Sequence, residues 1–242
     1  MSSFNITNYL IYNMTMINKI LRAFFFLFTP LVYAQTHIAT YELTVIEKEN
    51  YDEFLVMAQE DAYTNNFYLI FDKDYSLFTS DNISSDKVGM SDAIASLTNE
   101  LIFDKQQKSY HIEKTIFNTG ETYCIKRSEL VEWQITDEKK IINNIECYRA
   151  VGTLRSYNKT GDNFIDAWFA PSIPYSYGPS YFNGLPGLIL MVVDNNQYFF
   201  SLSEIHFDVE MNKDSKTIPE KICTENVITY QEYTKILSET NN

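Results

Sequence analysis

Tyr110-His111-Ile112-Glu113-Lys114-Thr115-Ile116-Phe117-Asn118 runs into Thr119-Gly120-Glu121 and returns through Thr122-Tyr123-Cys124-Ile125-Lys126. The first leg alternates His111, Glu113 and Thr115 against Ile112, Lys114 and Ile116, a period of two that sends successive side chains to opposite faces of a strand. A polar, Gly-centred turn between two such legs predicts an antiparallel hairpin. Reading outward from it, the rest of the chain repeats the pattern.

Downstream, residues 131–135, 140–145, 147–157 and 165–170 predict strands separated by polar turns short enough for antiparallel neighbours. Residues 188–193 are apolar throughout, as in a strand covered on both faces, and Asp194-Asn195-Asn196 turns them into 198–202, with 204–209 completing the meander. Upstream, residues 38–47 alternate as a half-buried strand, and 67–71 with 75–78 form a hairpin about Asp72-Lys73-Asp74. Helical spacing occurs in 52–63, in a segment capped by Ser91 and running to Leu101, and in 227–237 after the Pro219 break. The expected fold is mainly β with a few helices (α+β): a curved antiparallel sheet or half-open barrel with helices over one face.

The N-terminus reads differently. Lys19 and Arg22 precede an apolar run over 23–28, extended by Leu31, Val32 and Tyr33, and Val32-Tyr33-Ala34 supplies the −3 and −1 positions of a signal-peptidase site before Gln35. The run is well short of the roughly 20 residues that cross a bilayer. Residues 1–34 are therefore expected to be a signal peptide cut between Ala34 and Gln35, with translation starting at Met1, Met14 or Met16. What remains, 242 − 34 = 208 residues, suits a single domain over 35–242. An exported location, periplasm or outer cell envelope, follows, with a mature chain that is not an integral membrane protein.

Removing Lys19 and Arg22 leaves 17 basic against 32 acidic residues, a net charge of −15. Nucleic acid is excluded as a partner, because the basic groupings, such as Lys139-Lys140, are small and set among acids. Cys124, Cys147 and Cys223 allow one disulfide and one leftover thiol in an exported chain, and spacing does not choose among the three pairings.

Chemistry is hard to find in these residues. His37, His111 and His206 are isolated, so no short-range metal motif forms, and none of the cysteines has a histidine nearby in sequence. No Gly-x-Ser-x-Gly elbow or phosphate loop is present. Pairs such as Glu129 with Glu132, or Asp162 with Asp166, read as solvated faces in so acidic a chain. A non-enzyme without metal or cofactor is the expectation.

From Trp133 onward a series of motifs recurs in order: Trp133-Gln134-Ile135, Cys147-Tyr148-Arg149-Ala150, Asp166-Ala167-Trp168-Phe169, Tyr177-Gly178-Pro179 and Gly184-Leu185-Pro186-Gly187-Leu188-Ile189. These resemble the GLPGLI family, whose namesake hexapeptide is present without substitution. The resemblance implies an exported protein of Bacteroidetes-type bacteria, in a family of unassigned biochemical role, with a fold similar to the half-open barrels of periplasmic lipoprotein carriers and an association with TonB-dependent outer-membrane receptors.

Physically, Pro186 presets φ at the second position of a turn and Gly187 would supply positive φ at the third, so 185–188 reads as a type II turn launching the next strand. Gly178-Pro179 and Gly184 bracket an aromatic loop with Tyr175, Tyr177, Tyr181 and Phe182, the candidate binding residues. With 18 Tyr and 17 Phe in the chain, such a loop suits either core packing or the lip of a cavity. The expected function is to hold an apolar small molecule or a peptide segment in the cell envelope. The alternative is an interaction module for outer-membrane transport machinery that has no small-molecule pocket.

Overall fold

The computed structural model describes residues 35–46, 53–85, 87–95, 97, 99–116, 118–128, 131–155, 162–195, 197–210 and 222–240. The chain divides into two units, Met1–Ala34 and Gln35–Asn242. The expected signal peptide, Ala34 included, lies outside the described residues, and Gln35 is the exposed first residue within them.

In chain order the elements are β1 (His37–Val45), α1 (Glu53–Ala62), β2 (Phe67–Phe71), β3 (Tyr75–Ser80), α2 (Asp81–Ser84), α3 (Met90–Ile94), β4 (Leu101–Asp104), β5 (Ser109–Thr115) and β6 (Thr122–Arg127). Then come β7 (Glu132–Ile142), β8 (Ile145–Arg155), β9 (Asp162–Ala170), β10 (Leu188–Asp194), β11 (Tyr198–His206), β12 (Val227–Thr229) and α4 (Tyr230–Thr240). The strands form one mainly antiparallel sheet that does not close, in the order β12-β6-β5-β4-β3-β2-β1-β11-β10-β9-β8-β7. Among the described residues no helix is long and apolar enough to cross a membrane.

The opening hairpin forms as its alternation dictates: β5 and β6 pair from Tyr110↔Arg127 to Thr115↔Thr122. Gly120, at φ 70°, takes the left-handed turn position. Along β1 every second residue from His37 to Val45 is buried, the half-buried pattern its sequence shows.

Four expectations are corrected by tertiary context. The helix expected from Ser91 to Leu101 ends at Ile94, because Leu101 pairs with Phe78 and belongs to β4. Apolar residues four apart fit a helix stripe and a strand end equally, and pairing decides. The segments 131–135 and 140–145 are not two strands: Glu132–Ile142 is one strand, β7, irregular between Ile135 and Lys139, and Ile145 already belongs to β8, while 198–202 with the start of 204–209 are likewise one strand, β11, whose partner β1 shifts register between Thr40 and Tyr41. A bulge absorbs the extra residues that broke the alternation in sequence.

Finally, Val227 does not start the C-terminal helix. Residues Val227–Thr229 pair in parallel with Cys124, Ile125 and Lys126, so the sheet is mixed rather than purely antiparallel. The helix starts at Tyr230 behind a capping box. Glu232 accepts the Thr229 N–H at 2.7 Å, and the Glu232 N–H donates to the Thr229 hydroxyl at 3.2 Å.

The sheet is rolled. Tyr110 on β5 and Trp133 on β7 both bond Asn183, through its side-chain amide and its carbonyl respectively. Those strands are nine places apart, which in a flat sheet at about 4.8 Å per strand would separate them by roughly 43 Å. Only strong curvature brings them to one residue, and the segment between β9 and β10 fills the space so created.

Candidate functional site

That segment, residues 171–187, holds the aromatic loop and the hexapeptide, and its backbone is tied down along its length. Leu188 and Ile189 N–H groups donate to the carbonyls of Ile173 and Tyr177 at 3.0 and 2.9 Å, Gly184 to Ser176 at 3.1 Å, and Phe182 to Pro179 at 3.2 Å. From the facing strand β1, the Tyr41 hydroxyl donates to the Ile189 carbonyl at 2.7 Å, from a fully buried ring. Burial pushes the Tyr41 phenol well above its usual range, so it stays a donor.

The hexapeptide works by a different device from the expected type II turn. Gly187 does not have positive φ; the positive value belongs to Gly184, at 99°. The Gly187 N–H donates to the Leu185 carbonyl at 2.8 Å, spanning Pro186 alone in a three-residue turn. Glycine is needed at 187 for space: a Cβ there would stand 2.3 Å from the Ala170 carbonyl oxygen. Pro186 is exposed, whereas Leu185, Leu188 and Ile189 are core.

Of the candidate binding residues, Tyr177 and Phe182 are fully buried and Tyr175 and Tyr181 half-buried. Tyr177 packs on Phe71 and Phe103, with ring centroids 5.8 and 6.2 Å away. Tyr175 meets the Nε2 atom of His37 at 2.6 Å, and the other ring nitrogen of His37 accepts the Asp208 N–H at 3.1 Å. Tyr181 and Tyr198 both donate to one oxygen of Asp194, at 2.6 and 3.0 Å. The carbonyl of Tyr181 accepts from the Tyr110 hydroxyl.

Asn183, unremarkable in sequence, is the joint of this assembly. Its carbonyl accepts from Trp133 Nε1 at 2.8 Å, its amide donates to the Tyr110 hydroxyl at 2.6 Å, and its side-chain oxygen accepts the Gly178 N–H at 3.2 Å. Trp168 stands apart on β9, its ring under the Lys140 ammonium at 4.2 Å. Nearby, Asp166 is committed to Arg149, which also reaches Glu138. Glu129 and the Asp162 side chain lie outside the described residues.

A second constellation lies at the other end of the sheet. Cys124 on β6 is disulfide-bonded to Cys223, with Cα atoms 5.6 Å apart, which settles the open pairing; Cys147 is the buried free thiol. Burial pushes the Cys147 thiol up to about 11, so it is inert rather than nucleophilic. His111 on β5 stands diagonally across from Cys124, its Nδ1 3.9 Å from the sulfur. The histidine that the sequence left without a cysteine neighbour gains one through cross-strand pairing. The alternation in the hairpin carries that signal, since His111 pairs with Lys126, two residues beyond Cys124.

Comparison with known proteins bears on the fold and the loop. A family model described as a protein of unknown function (Porph_ging) matches residues 156–191, which hold β9, the aromatic loop and the start of β10. No curated protein matches the sequence. Among solved structures, the chain is similar to PNGF-II in its C2 and P21 crystal forms. TM-scores are 0.56 and 0.55 at 17% identity, over 86% of this chain and 33% and 34% of those chains. The chain thus spans about a third of the PNGF-II chains it matches, and the likeness concerns the fold.

Proposed function

We propose that this is an exported, non-enzymatic interaction module of the cell envelope, which receives an extended segment of a partner protein. The observation that carries this reading is the open edge of the sheet: among the described residues, the 11-residue β7 pairs on one side alone, with β8. An open edge offers main-chain donors and acceptors to an added strand. Ile135 and Ile141 on β7 are 49% and 66% exposed, apolar anchors on a strand otherwise edged by charge. The bulge and the charges at Asp137, Glu138, Lys139 and Lys140 discourage pairing with a second copy of the same edge.

Export is supported by the N-terminal signal pattern and by the Cys124–Cys223 disulfide, since such bonds persist in oxidising compartments. The resemblance to the GLPGLI family supports an outer-membrane partner of the TonB-dependent transport machinery. The rival reading, a carrier of an apolar small molecule with the Tyr175–Tyr181 loop at its mouth, rests on the half-exposure of those two rings.

Two experiments separate the readings. A photo-crosslinking residue is placed at Ile141, and at Tyr63 as a control, in the protein expressed in its own host. A discrete cross-linked envelope protein from Ile141 and none from Tyr63 is the expected result. Equal or absent cross-linking removes the edge from consideration. Native mass spectrometry of residues 35–242 that finds a bound apolar molecule would establish the carrier reading instead.

A further inference from the structure

We propose that reduction of the Cys124–Cys223 disulfide uncovers a metal site, in which the two thiolates and the His111 imidazole hold a d10 divalent cation of the Zn2+ class. The three ligand atoms already lie within 4.8 Å of one another. Tetrahedral Zn2+ with Zn–S about 2.3 Å and Zn–N about 2.05 Å needs N···S separations of roughly 3.6 Å and S···S of roughly 3.8 Å. His111 Nδ1 stands 3.9 Å from Cys124 Sγ, so the imidazole is close to its place. The sulfurs have only to separate once the bond between them is gone.

An independent observation concerns the other ring nitrogen. Ser109 Oγ lies 3.0 Å from His111 Nε2, and both residues are buried. With Nε2–H donated to that hydroxyl, the Nδ1 lone pair faces the sulfurs, the outer-shell arrangement that orients metal-ligating histidines. A disulfide alone has no use for an imidazole held in this orientation.

The chemistry balances with a dithiol as reductant. The S–S bond breaks, the dithiol's two S–H hydrogens end on Cys124 and Cys223, and its sulfurs form the new disulfide. Metal capture then makes two metal–sulfur bonds and releases both thiol protons, and His111 contributes its lone pair without losing one. Disulfide and metal exclude each other because they use the same sulfurs. Either one fastens the segment leading to β12 and α4 against β6, so the site exchanges a covalent fastening for a coordinate one according to the redox state around it.

The test uses residues 35–242, oxidised or reduced with a phosphine, titrated with Cd2+ and followed by the ultraviolet thiolate-to-metal charge-transfer band. Saturation at one Cd2+ per reduced chain, and no band from the oxidised protein, is the expected result. Cys147→Ser should leave it unchanged, and His111→Ala should weaken binding about tenfold or more, the scale already reached by loss of an outer-shell partner. Because His111→Ala touches a buried site, 113Cd resonance of the unaltered protein gives the ligand set directly, two sulfurs and one nitrogen. Absence of stoichiometric binding, a sulfur-only ligand set, or unfolding on reduction that Cd2+ does not reverse would overturn the proposal.

Discussion

The indole N–H of Trp133, on the terminal strand β7, donates to the carbonyl of Asn183, 50 residues away in the loop between β9 and β10, at 2.8 Å. One hydrogen bond thus fixes the open edge of the sheet to its interior. Replacing Trp133 by Phe keeps a ring and leaves that carbonyl without its donor, so stability should fall by about 1–3 kcal/mol. Urea unfolding followed by tyrosine fluorescence measures it, and an unchanged midpoint would show that the bond contributes nothing.

Gly187→Ala tests the steric reading of the hexapeptide. The added Cβ meets the backbone of Ala170, which cannot swing aside as a flexible side chain would. A loss of about 1–3 kcal/mol is expected, the usual scale of overpacking, and the melting temperature should drop accordingly. At Gly184 the nearest atoms to an added Cβ are 3.9 Å away, so any cost of Gly184→Ala comes from its φ of 99° alone.

The Cys124–Cys223 bond joins positions 99 residues apart. On the chain-entropy model a closed loop of that length contributes about 4.7 kcal/mol. Metal-free protein should therefore unfold at much lower urea in the presence of a reductant, with the same difference in Cys147→Ser. Coincident curves would mean that the bond is energetically idle.

Two buried histidines set an acid limit. Desolvation lowers the pKa of His37 below 6.5 despite Asp208 and Asp72, and burial with Lys126 lowers that of His111 despite Asp104. The folded state then binds fewer protons than the unfolded chain, so this contribution is complete above pH 6.5 and is lost as pH falls toward the lowered values. Urea midpoints should decline from pH 7 to pH 5. Proton resonances of the two rings should titrate below 6.5, and a midpoint above it for either ring would reverse the sign.

Asp194 accepts two phenolic donors, from Tyr181 and Tyr198, on one oxygen while nearly buried. Tyr181→Phe removes the shorter of these bonds and should cost about 1.5–3 kcal/mol, as for a bond to a charged group. Tyr175→Phe, which alters a contact with a neutral His37, should cost less. If the two variants melt alike, the carboxylate is not the stronger acceptor.

The strands were legible where alternation was unbroken, as in β1 and the β5–β6 hairpin, because the period of two is a property of the residues themselves. It failed where a bulge inserted residues into β7 and where β12 formed, since Val227 to Thr229 become a strand only beside Cys124 to Lys126. The aromatic loop was located by its Pro and Gly, yet its joint, Asn183, carries no local signal: its three partners come from residues 110, 133 and 178. The role of Gly187 was misread for a related reason. A Pro-Gly pair announces a turn, but the carbonyl that forbids a side chain there belongs to Ala170, at the far end of the loop.

Strand β1 sits between a near neighbour in sequence and a remote one: β2 follows it within 30 residues, whereas Ile38 is matched with His206. Hairpins β2–β3 and β5–β6 can close as soon as they are made, but β1 keeps one raw edge until β11 exists. For most of the time the polypeptide takes to emerge, Tyr41, Leu43 and their neighbours wait for a partner that is made late. The two halves of the sheet thus join in its middle only once β11 is made, with β12 added afterwards at one end, and any interruption of synthesis before residue 198 leaves a sticky half-sheet that cannot shield itself.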